Sequence, residues 1–138
     1  MADTFQFELV SPERLLISEE VTQVDVPGAE GDFGVLANHA PAISTLRAGV
    51  LMVRGESGAD RHVFVRGGFA EVRPDLLTVL AEQAIPLEDI DEAVLAQEVK
   101  NAEEDVADAK DDVTRLKAEL HLARLNEVFA ALRSAGHA

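Results

Sequence analysis

The chain has 138 residues, 47% of them apolar, with six Phe, no Trp or Tyr, and a formal net charge of −14. Zero cysteines exclude disulfides, thiolate catalysis and zinc–thiolate sites together, and the charge makes nucleic acid and anionic lipid headgroups poor partners. No run approaches the roughly 20 apolar residues of a membrane span, so direct membrane insertion is not expected.

The chain enters alternating residues at once. Phe5, Phe7 and Leu9 alternate with Gln6 and Glu8, one apolar face against one polar face. Neither a basic leader nor an apolar signal segment precedes them, so no targeting peptide is expected. Ser11-Pro12 breaks the run, Leu15 to Ile17 is a short apolar piece, and Thr22, Val24 and Val26 alternate up to Pro27-Gly28. Next comes the segment from Glu30 to Leu46, EGDFGVLANHAPAISTL. Gly31 and Gly34 bracket Asp32-Phe33 in a turn where φ > 0 is available. Ala37 to Pro41 forms a second corner, and Pro41 pushes the chain out of it in extended geometry. The stretch reads as a rigid, exposed double turn suited to docking.

Val50 to Arg54 and His62 to Arg66 flank Gly55-Glu56-Ser57-Gly58, a hairpin signal. Gly67-Gly68 predicts a bulge or a close backbone approach. Phe69 to Val72, the Arg73-Pro74-Asp75 turn and Leu76 to Leu80 make a further hairpin. About eight to ten short strands at roughly 8–12-residue spacing, with no helical segment between them, predict an all-β sandwich or barrel and exclude a parallel α/β sheet.

After Ile85-Pro86 the character changes, which divides the chain into a β-sandwich over 1–86 and a helical part over 87–138. Asp89 is placed to N-cap a helix, with Glu92 completing a capping box. Leu95, Val99, Ala102, Val106, Ala109, Val113, Leu116, Leu120 and Ala123 then recur at alternating steps of four and three, a coiled-coil period. No Gly or Pro falls between Pro86 and Gly136. Unbroken, this helix of some 45 residues would run on the order of 68 Å. The polar run Asp108 to Asp112 is the natural break, and Asp111 or Asp112 can cap a second helix. The expectation is an antiparallel helix-turn-helix hairpin, with a straightened form equally permitted by the pattern.

Charge follows the same division. Residues 1–86 hold 13 acidic and 6 basic groups, 87–112 hold 11 and 2, and 113–138 hold 2 and 4. The acidic run is a solvated helix face, while the change of sign suits the last helix to an acidic partner. Arg115, Lys117, Arg124 and Arg133 face only Glu119 and Glu127 in that segment.

Catalytic signatures are wanting. Asp32-Phe33-Gly34 spells the kinase magnesium tripeptide, but no lysine occurs before Lys100, and no phosphate loop or dinucleotide fingerprint appears. His39, His62, His121 and His137 lack metal-ligand spacing. No catalytic residue, metal or cofactor is therefore expected. His39 reads first as a hydrogen bond that fixes its corner.

The segment Gly31 to Pro41 resembles the G-x-x-G-V/I-L/Y-x-x-H-A-P stretch of the epsilon-subunit family of the bacterial rotary ATP synthase. Arg66-Gly67-Gly68-Phe69-Ala70-Glu71-Val72, then Leu77-Thr78-Val79-Leu80-Ala81-Glu82, then Ile90-Asp91-Glu92-Ala93 agree in order and spacing. The resemblance implies a non-catalytic central-stalk subunit of a proton-translocating synthase, peripheral at the cytoplasmic face of the bacterial inner membrane. Its sandwich would pack beside the gamma subunit and its turn region on the ring of c subunits, making Gly31, Asp32, Phe33, Gly34, His39 and Pro41 the interface candidates. The basic helix would rise towards a beta subunit and block rotation through Arg115, Lys117, Arg124 and Arg133. Many members hold ATP with an Ile/Leu-Asp-x-x-Arg-Ala motif. Here Val94 and Leu95 replace its Arg and Ala, so no nucleotide site is expected. The rival reading is a free-standing β-sandwich binding module that self-associates through a coiled-coil tail.

Overall fold

The computed structural model describes residues 3–56, 58 and 60–136. The chain forms two compact units, Met1–Pro86 and Leu87–Ala138.

Among the described residues the first unit holds seven strands: β1 Phe5–Val10, β2 Leu15–Val26, β3 Phe33–Val35, β4 Ala42–Thr45, β5 Gly49–Gly55, β6 Asp60–Val72 and β7 Leu76–Pro86. The sheet runs β1-β7-β6-β5-β2-β3, with β4 beside β6. It closes on itself because β2, which also carries the short β3, pairs with both β1 and β5. Its first half pairs with β1, Phe5 opposite Val21, and its second half pairs with β5, Val24 opposite Val53. The closed sheet flattens into the two layers of a sandwich, and alternation supplies the filling. Phe5, Phe7 and Leu9 point inward from β1, Val21, Val24 and Val26 from β2, and Leu77, Val79 and Ala81 from β7. Fully burying each such valine, leucine or phenylalanine side chain stabilises the fold by about 1.5–3 kcal/mol before conformational entropy is counted.

Seven strands stand where about eight to ten short ones were expected, because several are long. The two apolar pieces between Leu15 and Val26 are one strand, and the pieces on either side of Gly67-Gly68 are one strand of 13 residues. Gly67 (φ 72°) and Gly68 (φ 96°) turn β6 without breaking it. The pairing passes from Arg66–Gln83 to Gly68–Ala81 in constant register, so this is a close approach and not an inserted residue. A side chain on Gly68 would collide with the Leu80 carbonyl. The bend also sorts the other edge of β6. β5 pairs with its first half and β4 with its second, end to end. One pair in the sheet is parallel, β1 against β7 with Gln6 opposite Leu76.

The second unit starts with a 3-10 turn, Leu87–Asp89, followed by α1 Glu92–Asp108 and α2 Asp112–Gly136. Asp91, not Asp89, is the N-cap of α1. Its Oδ1 accepts from the amides of Ala93 (2.9 Å) and Val94 (3.2 Å). Asp89 is taken up by the 3-10 turn, whose Leu87 carbonyl accepts from Ile90. The helices break inside the expected run. Asp111 caps α2, accepting from Thr114 N at 2.7 Å and Thr114 Oγ1 at 3.0 Å. Those bonds hold its carboxyl below the usual carboxylate range, the amide contributing most. Arg115 reaches back from the first turn of α2 to the Ala109 carbonyl at 3.2 Å, satisfying an orphan acceptor at the end of α1.

The apolar stripe changes face at the break. In α1 it lies where the period puts it, with Leu95 and Ala102 buried and Val99 and Val106 half-buried. In α2 the continuation points outward: Val113 is 65% exposed, Leu116 57% and Leu120 53%, and Ala123 is exposed too. A second series, Ala118, Leu122, Leu125, Phe129 and Leu132, again at steps of four and three, is half-buried to buried, and near the end of the helix Val128 and Ala131 are buried beside it. Counting a heptad through the break treats the helix as continuous, whereas a reversal of direction lets a different face turn inward.

Candidate docking surface

The turn before β3 is built from main-chain bonds to the β4–β5 connection. Gly28 bridges Leu46, Ala29 N donates to the Thr45 carbonyl at 2.8 Å, and Arg47 N donates to the Pro27 carbonyl at 3.0 Å. Gly31 N closes the turn on the Gly28 carbonyl at 3.1 Å, and Gly31 takes φ 142°, a region that L side chains rarely adopt. Asp32 follows, exposed, and is held by Arg47. Phe33 is half-buried and packs against the core, so it anchors the turn from beneath rather than offering an exposed contact.

Gly34 differs from expectation. It needs no positive φ and lies in β3 opposite Asp25. What it supplies is space. A Cβ there would sit 3.2 Å from Asp25 Oδ1, the atom that accepts from Gln23 Nε2 at 2.9 Å. The left-handed residue of the double turn is instead Asn38 (φ 65°), at the second corner. Asparagine tolerates that conformation better than most L residues, a signal present in Ala37-Asn38-His39 that the glycine-based reading passed over. Asn38 N donates to the Pro74 carbonyl at 2.8 Å, tying this corner to the β6–β7 turn. His39 is half-buried, and its Nδ1 lies 2.7 Å from the Ala40 carbonyl, so an Nδ1–H donor fixes the bend. Pro41 is exposed at the mouth of β4.

A second surface feature escaped the sequence reading. On the outer face of the sheet, Phe69 stands between Thr45 and Leu80, and Leu80 stands opposite Val10. Phe69 is 41% exposed, Leu80 37%, and Ile43 of β4 73%. With Pro12, Val10, Phe69 and Leu80 line a shallow groove of about 540 Å³. Its signal is the outward phase of the alternation, where Ile43 and Phe69 stand in positions that a solvated face would give to polar residues.

The basic residues of α2 are not gathered into one patch. At about 100° per residue, Lys117 and Arg124 share one face while Arg115 and Arg133 share the opposite one. Arg115 bonds the Ala109 carbonyl, and Arg133 lies over the Phe129 ring at 5.1 Å. Val94 is 54% exposed at the first turn of α1, apolar where a phosphate-binding fork would stand. Among the described residues no group of three or more His, Asp or Glu is placed to hold a metal, and His137 lies outside them. No described helix is long and apolar enough to cross a membrane.

Residues 4–87 match the family model of the ATP synthase delta/epsilon chain, β-sandwich domain. Over 132 residues the chain is 49% identical to the ATP synthase epsilon chain of Mesorhizobium japonicum, covering 96% of this chain and 98% of that one. It is 52% identical over 128 residues to that of Parvibaculum lavamentivorans, covering 93% and 97%. A chain in the mitochondrial ATP synthase of Euglena gracilis, solved as OSCP, F1 and c-ring, superposes with TM-score 0.78 at 29% identity, covering 97% of this chain and 82% of that one. A chain from the central stalk and c-ring of the Tetrahymena thermophila enzyme shares the fold, with TM-score 0.59 at 11% identity and 97% coverage of both. Sandwich, helical hairpin and near-complete coverage agree: the chain belongs to the ATP synthase delta/epsilon family, as a non-catalytic stalk subunit of that membrane-associated complex.

Proposed function

We propose that this subunit couples the ring of c subunits to gamma, so that proton-driven rotation reaches the catalytic head, from a position on the cytoplasmic face of a bacterial inner membrane. The carrying observation is the clasped double turn from Pro27 to Pro41, in which glycine, asparagine and proline geometry is locked by bonds to two neighbouring turns. A coupling element has to transmit torque without yielding, and a loop tied at several points does that better than a free one. On this reading the Gly31–Gly34 turn and the His39–Pro41 corner meet the ring. The outer row Ile43, Phe69 and Leu80 is apolar surface for gamma to cover, of the kind that marks protein interfaces.

This chain has no cysteine, so a single introduced one takes a thiol label at one place. Glu30→Cys and Ile43→Cys, each labelled with a photoreactive maleimide as the purified chain and then rebound to membranes stripped of this subunit, should yield c-subunit and gamma adducts respectively. Adducts to neither subunit would sink the assignment.

The two units read as separable domains, with 1–86 complete in strands before the helices begin. The hairpin is read as regulatory, and its two faces support that reading. Val113, Leu116 and Leu120 continue the α1 stripe only in a straightened helix, and stand exposed in the hairpin. Straightened, α2 carries Lys117 and Arg124 towards acidic beta-subunit surface on one face, with Arg115 and Arg133 on the other. On this reading nucleotide has no part in the switch, because the Val94 side chain supplies neither charge nor a donor fork for phosphate. Calorimetric titration should show no ATP binding by the chain at millimolar nucleotide. Micromolar binding would overturn that statement.

A further inference from the structure

Main-chain bonds clasp the docking turn at its base, from Pro27 to Ala29. The tie that reaches its tip is a side chain. Arg47, in the β4–β5 connection, donates to Asp32 Oδ1 from Nε (3.0 Å) and Nη2 (2.6 Å), and to Oδ2 from Nη2 (2.7 Å). Its remaining arm, Nη1, donates to the Ala48 carbonyl at 3.1 Å. The guanidinium is thus fixed to its own strand connection by one arm and grips the turn with the others. Space for it comes from Gly49, where a Cβ would lie 2.7 Å from Arg47 Nη1 and 3.0 Å from Pro27 Cβ.

Two consequences follow from the chemistry. Both Asp32 oxygens are already engaged, so Asp32 itself stands there as half of an ion pair and not as a bare carboxylate. The grip is also directional, because a planar fork fixes a carboxylate's orientation where an ammonium would only attract it. The pair is half-exposed, 48% for Arg47 and 61% for Asp32, so its worth to global stability is small. Its effect is local shape.

We propose that Arg47 is the positioning residue of the docking turn, holding Asp32 and the backbone around it in the form that seats on the ring. This rests on the docking reading above and names the group that sets the turn's geometry.

The test uses the full chain as Arg47→Gln, Arg47→Lys, Asp32→Asn, the Arg47→Gln/Asp32→Asn double variant and Gly49→Ala. Two quantities are measured: amide hydrogen exchange at Asp32 and Phe33 in solution, and affinity for synthase membranes stripped of this subunit. Arg47→Gln and Asp32→Asn should each speed exchange about three- to fivefold and weaken binding by a similar factor, the upper range for a surface pair. The double variant should be no worse than either single one, as expected of a pair acting as a unit. Lysine should restore less than half of the loss. Gly49→Ala, which keeps both charges and displaces the guanidinium, should shift both readouts the same way.

Unchanged exchange in Arg47→Gln overturns the proposal, whatever the membranes show. Additive binding losses overturn it too, since each residue would then meet the partner separately, and full rescue by lysine would show that charge suffices. Faster exchange with unchanged binding supports the grip and overturns the docking reading of the turn.

Discussion

The sandwich and the hairpin use the same apolar residues in opposite ways. In the sandwich the inward positions of β1, β2 and β7 are filled: β1 and β7 alternate strictly, and a register shift between Val21 and Gln23 keeps the β2 valines inward. A slip of one residue would turn the whole set to solvent, so the fold has a single solution. In α2 two heptad series share one helix, Ala118-Leu122-Leu125-Phe129-Leu132 inward and Val113-Leu116-Leu120 outward. A helix tolerates this because its side chains radiate all round the axis, whereas a strand has only two faces. The sandwich is over-determined, and the hairpin carries a spare face.

Substitutions can break that contrast. Phe7 is wholly buried between the layers, and Phe7→Ala should cost about 3–5 kcal/mol in urea unfolding of the first unit. Leu120→Ser, on the spare face, should change stability by no more than about 0.5 kcal/mol. A large loss there would mean that the outer stripe is covered in the free chain. Gly68→Ala comes next. It forces a Cβ into the Leu80 carbonyl at a positive φ, for a loss of about 1–3 kcal/mol in the same unfolding assay.

Smaller effects sharpen the hairpin side. Asp91→Ala removes the α1 cap and should cost about 1 kcal/mol of helix stability, seen as fraying of the first turn by amide exchange. Asp111 tests the joint. Its carboxyl titrates lower in the folded hairpin than in the unfolded chain, so its contribution is present above the usual carboxylate range and is lost as pH falls through the lowered value. Asp111→Asn should therefore flatten the acid limb of hairpin stability while leaving neutral behaviour nearly unchanged. An identical acid limb in both proteins would remove Asp111 from the joint.

Much of this was legible in the chain. Period-two alternation located strands, and the polar run at Asp108–Asp112 located the helix break, because both are local signals. Strand merging across Gly67-Gly68 was not legible, since glycine pairs punctuate and bend with equal ease and only the β7 partner decides. The same limit hid the α1 cap, where Asp89 and Asp91 compete and a 3-10 turn settles the choice. Gly34 misled because glycine was read as conformational freedom, while here it makes room for the Gln23–Asp25 bond. The outer row at Ile43, Phe69 and Leu80 needs three strands laid side by side before it exists at all.

The parallel pairing of β1 with β7 bears on how the chain is made. β1 leaves the ribosome before its partners and finds β2 at once, yet its other edge waits for β7, some 70 residues later at Leu76. Until then a row of unpaired amides and carbonyls stands open, a template for pairing with other chains. The hairpin that follows folds from near neighbours and closes fast, whereas the sandwich depends on its most distant contact and closes slowly. Nascent chains paused before Pro86 are therefore the ones most exposed to aggregation, and the N-terminal strand is where a chaperone's protection counts most.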